Sequence, residues 1–228
     1  GSLCGETTWG NICQLMEAGS RAVRAIFPEA LVAVHFTNPE NADAMRFYAK
    51  TLDDFRLDYD VFATSYYPYW HGTLENLAAV LSQIAEAYGK KVMVAETSYA
   101  YTPEDTDFFG NTIGEGGSYA KPYPLTVQGQ ADAVADVVRT MAEDTTNGIG
   151  VFYWEGAWIS AGGGSRAENN RKWEQYGSGW ASSYAASYDP EDAGKYYGGS
   201  AVDNQAFFDS TGRALESLKV CLLYTSPS

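Results

Sequence analysis

KKVMVAETSYAY, residues 90–101, combines a buried strand with a charge at its end. The run KVMVA, residues 91–95, has the apolar and β-branched character of a strand that is covered on both faces. Glu96 follows directly, and Ser98, Tyr99 and Tyr101 come soon after it. A carboxylate is costly to bury without a partner, so its place at the end of such a strand indicates a function.

Helical and strand-like segments alternate on both sides of this stretch. Apolar stripes at helical spacing predict helices at about residues 12–26, 42–55, 74–88 and 126–143. Apolar runs predict strands at about residues 31–36, 59–65, 91–95 and 149–155, and a short helical end is expected near 203–219. Strands that are apolar throughout, separated by amphipathic helices, are typical of a parallel sheet covered by helices.

Two architectures satisfy this order, namely a doubly wound open sheet and a (β/α)8 barrel. A barrel needs eight strands and typically about 250 residues. The sequence predicts half that number of strands and opens with a helix. Interpreted as a barrel, the chain is the back half of one, and the front half is missing.

Composition indicates one sizeable globular domain that acts on a neutral partner. The chain has 228 residues and a formal net charge of −14, which argues against nucleic acid and against an anionic membrane surface. Its 17 Tyr and 6 Trp offer rings on which sugars stack. No stretch has the length of a membrane span, and we expect no secretion signal within this chain. Cys4, Cys13 and Cys221 form neither a disulfide framework nor a metal cluster.

Polar and aromatic residues gather where the predicted strands end. They are His35 and Asn38, then Ser65, Tyr66, Tyr67, Tyr69, Trp70 and His71, then Glu96, and finally Trp154 and Glu155. The carboxyl ends of parallel strands meet on one face, where the loops of α/β enzymes build their active sites. These residues therefore predict one aromatic, acidic cleft.

A carboxylate among aromatic rings, without basic residues beside it, favours glycoside hydrolysis. The reaction passes through an oxocarbenium-like transition state that an adjacent carboxylate stabilises or traps covalently. It normally needs a second carboxyl group that is kept protonated. Glu96 can be the first group, and Glu155 is a weaker candidate for the second.

Two other functions fit parts of the sequence. A non-catalytic carbohydrate-binding protein could use the same aromatic cleft. A phosphate-binding barrel is suggested by the glycine run at Gly162–Arg166, which follows the last predicted strand. That run lies several residues beyond the strand, and the acidic net charge argues against phosphate.

Longer motifs give a more specific indication. SYYPYWHGTL (65–74), VMVAETSYAYT (92–102), YPLTVQGQA (123–131), GVFYWEGAWI (150–159) and GGSAVDNQAFFD (198–209) occur in this order. Together they resemble glycoside hydrolase family 53, the endo-β-1,4-galactanases, over nearly all of residues 1–220. The resemblance implies the C-terminal half of a (β/α)8 barrel, with about strands 5–8 present.

The resemblance also implies a mechanism and a set of site residues. The enzyme would cleave β-1,4-galactan or arabinogalactan by a retaining double displacement, with Glu96 as its nucleophile. The acid/base Glu would lie upstream of Gly1, so the chain itself would be inactive; Glu6 is not assigned that role. Substrate contacts are implied for His35, Asn38, Tyr66, Tyr67, Trp70, His71, Trp154, Glu155 and Trp158. The full-length protein is expected to be monomeric and secreted or held at the cell surface.

A calcium site is suggested in the loop that follows Glu96. The spacing of Asp105, Asp107 and Asn111 around Gly110 resembles the first part of a calcium loop, although a solvated acidic turn has the same pattern. The family resemblance adds Ser200 and Asp203 as ligands. Phe109 stands where bacterial family members have a His, so only its main-chain carbonyl could bind a metal.

The last eight residues depart from the family. CLLYTSPS, residues 221–228, has the character of a translated sequencing adapter and is expected to be non-native. The predicted domain therefore comprises residues 1–220.

Overall fold

The computed structural model describes residues 9–162, 165–176, 182–187, 189–191, 193–195 and 200–223. The chain divides into two compact units. The first comprises residues 1–97 and 135–154, and the second comprises residues 98–134 and 155–228. No helix in the described part of the chain has the length and apolar character needed to cross a membrane.

The first unit is built around a parallel sheet. Its strands are β1 (Ala33–Phe36), β2 (Val61–Ser65), β3 (Lys91–Thr97) and β4 (Gly148–Tyr153). Their spatial order is the same as their order in the chain, and every neighbouring pair is parallel. A barrel has this sequential order, whereas a doubly wound sheet reverses its order at a switch point.

A helix precedes each strand. These helices are α1 (Trp9–Ile26), α2 (Ala42–Asp54), α3 (Leu74–Tyr88) and α4 (Val127–Arg139), and α4 continues as a π-helical turn over Thr140–Asp144. Helix α3 shows why the boundaries fall where they do. The Thr73 hydroxyl caps its start by accepting a hydrogen bond from the Asn76 N–H at 3.2 Å. Gly89 ends the helix with a φ of 61°, which a residue without a side chain adopts readily.

The two faces of the sheet carry different residues. Val34, Phe62, Val92 and Val94 pack into the main core with the buried stripe of α3, which includes Leu77 and Ile84. On β2, the alternate residues Val61 and Ala63 form a separate cluster with Met93 and Ala95. Because side chains alternate along a strand, Ser65 lies on the same face as Ala63.

The second unit has little regular structure, and buried polar side chains hold its loops. Gln130, within α4, is fully buried, and its amide nitrogen donates to the carbonyl oxygens of Tyr99 and Ala206 at 2.9 and 3.0 Å. Its amide oxygen accepts from the Ser217 hydroxyl at 2.5 Å. These bonds satisfy the buried side chain and tie three segments of the unit together. Helices α5 (Arg166–Tyr176) and α6 (Val220–Leu223) also belong to this unit.

The structure corrects the sequence predictions in three places. Strand β4 ends at Tyr153, so Trp154 and Glu155 lie in the following turn. The expected helical end consists of 3₁₀ turns at Asp203–Gln205 and Glu216–Lys219 followed by α6. Helix α5 was not predicted because its sequence, RAENNRKWEQY, has no apolar stripe. Of the suspected non-native tail, residues 224–228 lie outside the described part of the chain.

Candidate active site

A cavity of about 590 Å³ lies at the carboxyl ends of β1, β2 and β3 in the first unit. Its lining residues are His35, Phe36, Thr37, Asn38, Ser65, Tyr67, Trp70, His71 and Glu96. Among the described residues that line it, Glu96 is the only carboxylate. The cavity is therefore a mainly aromatic and neutral surface with one acidic group.

An irregularity in the sheet sets the position of Glu96. Thr64 is in register with Val94, but the next residue of β2, Ser65, is in register with Glu96. Strand β3 thus holds one extra residue, Ala95, which is the arrangement of a β-bulge. The Tyr66 N–H continues the ladder by donating to the Glu96 carbonyl oxygen at 2.8 Å. The bulge brings the Glu96 side chain beside Ser65 at the end of the sheet.

Two hydroxyl groups donate to the same oxygen of Glu96. The Ser65 Oγ and the Tyr67 hydroxyl each lie 3.1 Å from Glu96 Oε2. The Glu96 side chain remains 33% exposed. These two hydrogen bonds fix the orientation of the carboxylate, while its exposure leaves it accessible from the cavity.

His35 extends this hydrogen-bond network. Its Nε2 lies 2.8 Å from the Ser65 Oγ, and its Nδ1 lies 3.9 Å from Glu96 Oε1. Ser65 has one hydroxyl proton, which it donates to Glu96, so His35 Nε2 is the donor to Ser65. A chain of hydrogen bonds therefore runs from β1 through β2 to the carboxylate on β3.

The segment after β2 forms the aromatic wall of the cavity. Trp70 is 44% exposed, and its ring centroid lies 5.7 Å from that of Tyr67. His71 is buried in the same turn, where its ring approaches Trp70 edge-on at 6.1 Å. An exposed indole beside a fixed hydroxyl offers a flat apolar surface with a polar edge, which suits a sugar ring.

The structure brings most of the predicted site residues together. His35, Asn38, Tyr67, Trp70, His71 and Glu96 all line the cavity. Tyr66 does not, because it is buried and its hydroxyl donates to the Gly72 carbonyl oxygen at 3.0 Å. Trp154 is half-buried just after β4, and its N–H donates to the Thr97 carbonyl oxygen at 2.9 Å.

Two of the residues predicted to contact substrate belong to the second unit. Glu155 has a positive φ of 53°, and its carbonyl oxygen accepts from the Trp158 N–H at 2.9 Å. Trp158 is 40% exposed. The glycine run considered for phosphate binding includes residues 163 and 164, which lie outside the described residues.

Ser65 is a site residue to which the sequence prediction assigned no role. Its position at the end of β2 was visible, but a serine at a strand end has no distinctive pattern. Only the register shift against β3 shows that its hydroxyl reaches the carboxylate.

A second acidic cluster lies within the second unit. Carboxylate oxygens of Asp105, Asp107 and Asp203 lie within 4.8 Å of one another. Main-chain N–H groups fix two of these side chains: Asn111 donates to Asp105 at 3.0 Å, and Ser200 donates to Asp107 at 2.9 Å. The hydrogen bond from the Thr112 N–H to the Ala201 carbonyl oxygen, at 2.8 Å, joins the two segments.

Asp203 is the most buried member of this acidic cluster. Only 2% of the residue is exposed, and its Oδ1 is buried without a hydrogen-bond partner among the residues that the structure describes. The same holds for the buried Oδ1 of Asn111. Burial raises the pKa of Asp203, hydrogen bonds from Thr106 and Asn111 lower it, and the charges of Asp107 and Asp105 raise it further.

Sequential parallel strands with polar side chains at their carboxyl ends define a site of the (β/α)8 enzyme type. The family model described as glycosyl hydrolase family 53 matches residues 2–221. The chain therefore belongs to glycoside hydrolase family 53, and its fold is part of a (β/α)8 barrel. The resemblance stated from the sequence motifs is confirmed.

Named relatives agree with this assignment. The chain is 60% identical to an endo-β-1,4-galactanase of Bacillus subtilis over 221 residues, which are 96% of this chain and 51% of that protein. It is 31% identical to an arabinogalactan endo-β-1,4-galactanase of Cellvibrio japonicus, across 72% of this chain and 46% of that protein. The chain thus spans about half the length of these relatives.

A solved structure shows the same arrangement. The catalytic domain of a family 53 protein from Ignisphaera aggregans superimposes with a TM-score of 0.72 at 31% identity. The match covers 93% of this chain and 51% of that domain.

Proposed function

We propose that the protein to which this chain belongs is an endo-acting β-1,4-galactanase that uses Glu96 as its nucleophile. The observation that carries the proposal is the carboxylate of Glu96, partly exposed in an aromatic cavity and held by two hydroxyl donors to one oxygen. The activities for which the relatives are named support galactan or arabinogalactan as the substrate. The full-length protein would be monomeric and would act outside the cell, where such polysaccharides occur.

The proposed reaction is a retaining double displacement. A Glu96 oxygen attacks the anomeric carbon, the glycosidic C–O bond breaks, and the leaving sugar oxygen takes a proton from a carboxylic acid. Water then attacks the glycosyl-enzyme ester, its proton passes to the same acid/base group, and Glu96 leaves as a carboxylate. Ser65 and Tyr67 orient the nucleophile through their bonds to Oε2.

The acid/base group is proposed to lie in the part of the protein that this chain does not contain. Support comes from the cavity lining, where the described residues supply no second carboxyl group. Hydrolysis of this kind requires two. The chain alone is therefore proposed to be inactive, although its aromatic surface could still bind galactan.

The test uses a fusion enzyme, in which residues 1–220 are joined in register to the part of the Bacillus subtilis relative that this chain does not match. We expect the fusion enzyme to release reducing ends from β-1,4-galactan, and NMR should show products that first appear as the β-anomer. Products that first appear as the α-anomer would overturn the retaining mechanism. Binding of galactan without any hydrolysis would favour the non-catalytic carbohydrate-binding alternative.

We also propose that the acidic cluster binds a structural calcium ion. The donor set fits, because Ca²⁺ prefers carboxylate and carbonyl oxygens. Two buried oxygens, on Asp203 and Asn111, have no hydrogen-bond partner within the described part of the chain. Asp105, Asp107, Asn111 and Asp203 would hold the ion, and Ser200 positions Asp107 through its N–H. The bound charge would compensate the converging carboxylates and hold the loop against residues 200–203.

A further inference from the structure

The imidazole ring of His71 supports one of the two residues that supply the hydrogen bonds to Glu96. The Tyr67 N–H donates to His71 Nδ1 at 3.0 Å. The hydroxyl of the same Tyr67 donates to Glu96 Oε2 at 3.1 Å. The main chain of Ser65, the other donor, lies close enough to the ring to affect its pKa.

The hydrogen bonds define the state of this ring. Nδ1 accepts a hydrogen bond, so it carries no proton, and the proton of the neutral ring is on Nε2. His71 is only 4% exposed, and this burial lowers its pKa. The charges of Glu40 and Glu96 and the Ser65 main chain act in the opposite direction, but burial is the largest effect. The ring that accepts the Tyr67 N–H at Nδ1 is therefore neutral.

We propose that His71 is a positioning residue for the nucleophile and acts by fixing the main chain of Tyr67, so that the Tyr67 hydroxyl remains aimed at Glu96. This inference rests on the proposed role of Glu96. It differs from the role implied by family resemblance, which was a contact with substrate. Nδ1 has an internal partner, and the ring is almost fully buried, so little of it is available to a sugar.

Two substitutions of similar bulk separate the roles of His71 Nδ1 and Nε2 in the fusion enzyme. An Asn side chain places its carbonyl oxygen near the position of Nδ1 and can still accept the Tyr67 N–H. A Gln side chain reaches the position of Nε2 and leaves that N–H without an acceptor. We expect His71→Gln to lower kcat about 10- to 100-fold with KM changed by less than about threefold. His71→Asn should retain at least about five times the kcat of His71→Gln.

A double-mutant cycle with Tyr67→Phe tests the route of the effect. If His71 acts through Tyr67, His71→Gln should change kcat by less than about threefold when the Tyr67 hydroxyl is already absent. Thr73→Ala, which removes the cap of α3 in the same loop, is the control for a general loss of stability. It should leave kcat unchanged.

Three results would overturn the positioning role. These are a rise in KM at unchanged kcat, equal effects of the Gln and Asn substitutions, and full additivity with Tyr67→Phe. Glu96→Gln, measured alongside, separates this inference from the function itself. If Glu96→Gln retains turnover, the proposed nucleophile is wrong; if it is inactive but the cycle is additive, only the role of His71 is wrong.

Discussion

The two acidic sites of this chain differ in how their carboxylate oxygens are satisfied. At the end of β3, Glu96 Oε2 accepts from two hydroxyls, and a third of the side chain is exposed. In the second unit, three carboxylates converge, and Asp203 Oδ1 is buried with no hydrogen-bond partner in the described segments. The first environment stabilises a single charge and leaves it accessible, which suits a nucleophile. The second leaves charge uncompensated, which suits a cation.

Removing the charge at the first site should have the largest effect. In the fusion enzyme, Glu96→Gln should lower kcat by about 10⁴-fold or more, because the amide cannot form the glycosyl-enzyme ester. Reducing-end release from galactan measures this, and circular dichroism should show an unchanged fold. Glu29→Gln, the same change at an exposed residue, is the control. Turnover within tenfold of the parent would place the nucleophile elsewhere.

Weakening the support of Glu96 should have a smaller effect. Tyr67→Phe removes one of two donors to Oε2 and should lower kcat about 10- to 100-fold. The matched control is Tyr59→Phe, because Tyr59 is buried just before β2 and its hydroxyl has no hydrogen-bond partner among the described residues. Equal activity of Tyr67→Phe and Tyr59→Phe would show that the hydroxyl bond does not contribute to turnover.

The smallest expected effect concerns stability at the second site. Burial raises the pKa of Asp203, so the folded state loses stability as the pH rises from the ordinary Asp value through this raised pKa. At pH 7 without metal, Asp203→Asn should therefore raise the Tm of the fusion enzyme by about 1 °C, which corresponds to about 1 kcal/mol in a protein about twice the length of this chain. With saturating calcium, Asp203→Asn should instead have a lower Tm than the parent, because the substitution removes a charged ligand.

The control for this reversal is Asp209→Asn. Asp209 is partly exposed in the same unit and accepts hydrogen bonds from the main-chain N–H groups of Thr211 and Arg213. Its Tm change should be the same with calcium and with chelator. A Tm of Asp203→Asn that stays above the parent in calcium would contradict the metal site.

The sequence alone predicted the repeating framework and the position of Glu96 at the end of a strand. The strand runs are apolar throughout, and α3 carries a cap, a stripe and a stop signal, so local physics and tertiary structure agree there. It was not sufficient for the Ser65 contact, because a bulge of one residue decides which side chains meet. The sequence did not predict α5, which has no apolar stripe. It also did not show that Tyr67 faces Glu96 while Tyr66 is buried, because neighbouring residues of one motif point in different directions.

Covalent trapping tests the role of Glu96 most directly. A 2-deoxy-2-fluoro-β-galactobiosyl fluoride forms the glycosyl-enzyme ester quickly, because fluoride leaves readily, and hydrolyses slowly, because the 2-fluorine destabilises the oxocarbenium-like transition state. Peptide mass spectrometry of the treated fusion enzyme should place one galactobiosyl adduct on Glu96, and the Glu96→Gln variant should carry none. An adduct on another carboxylate, or undiminished labelling of the variant, would contradict the assignment of Glu96 as the nucleophile.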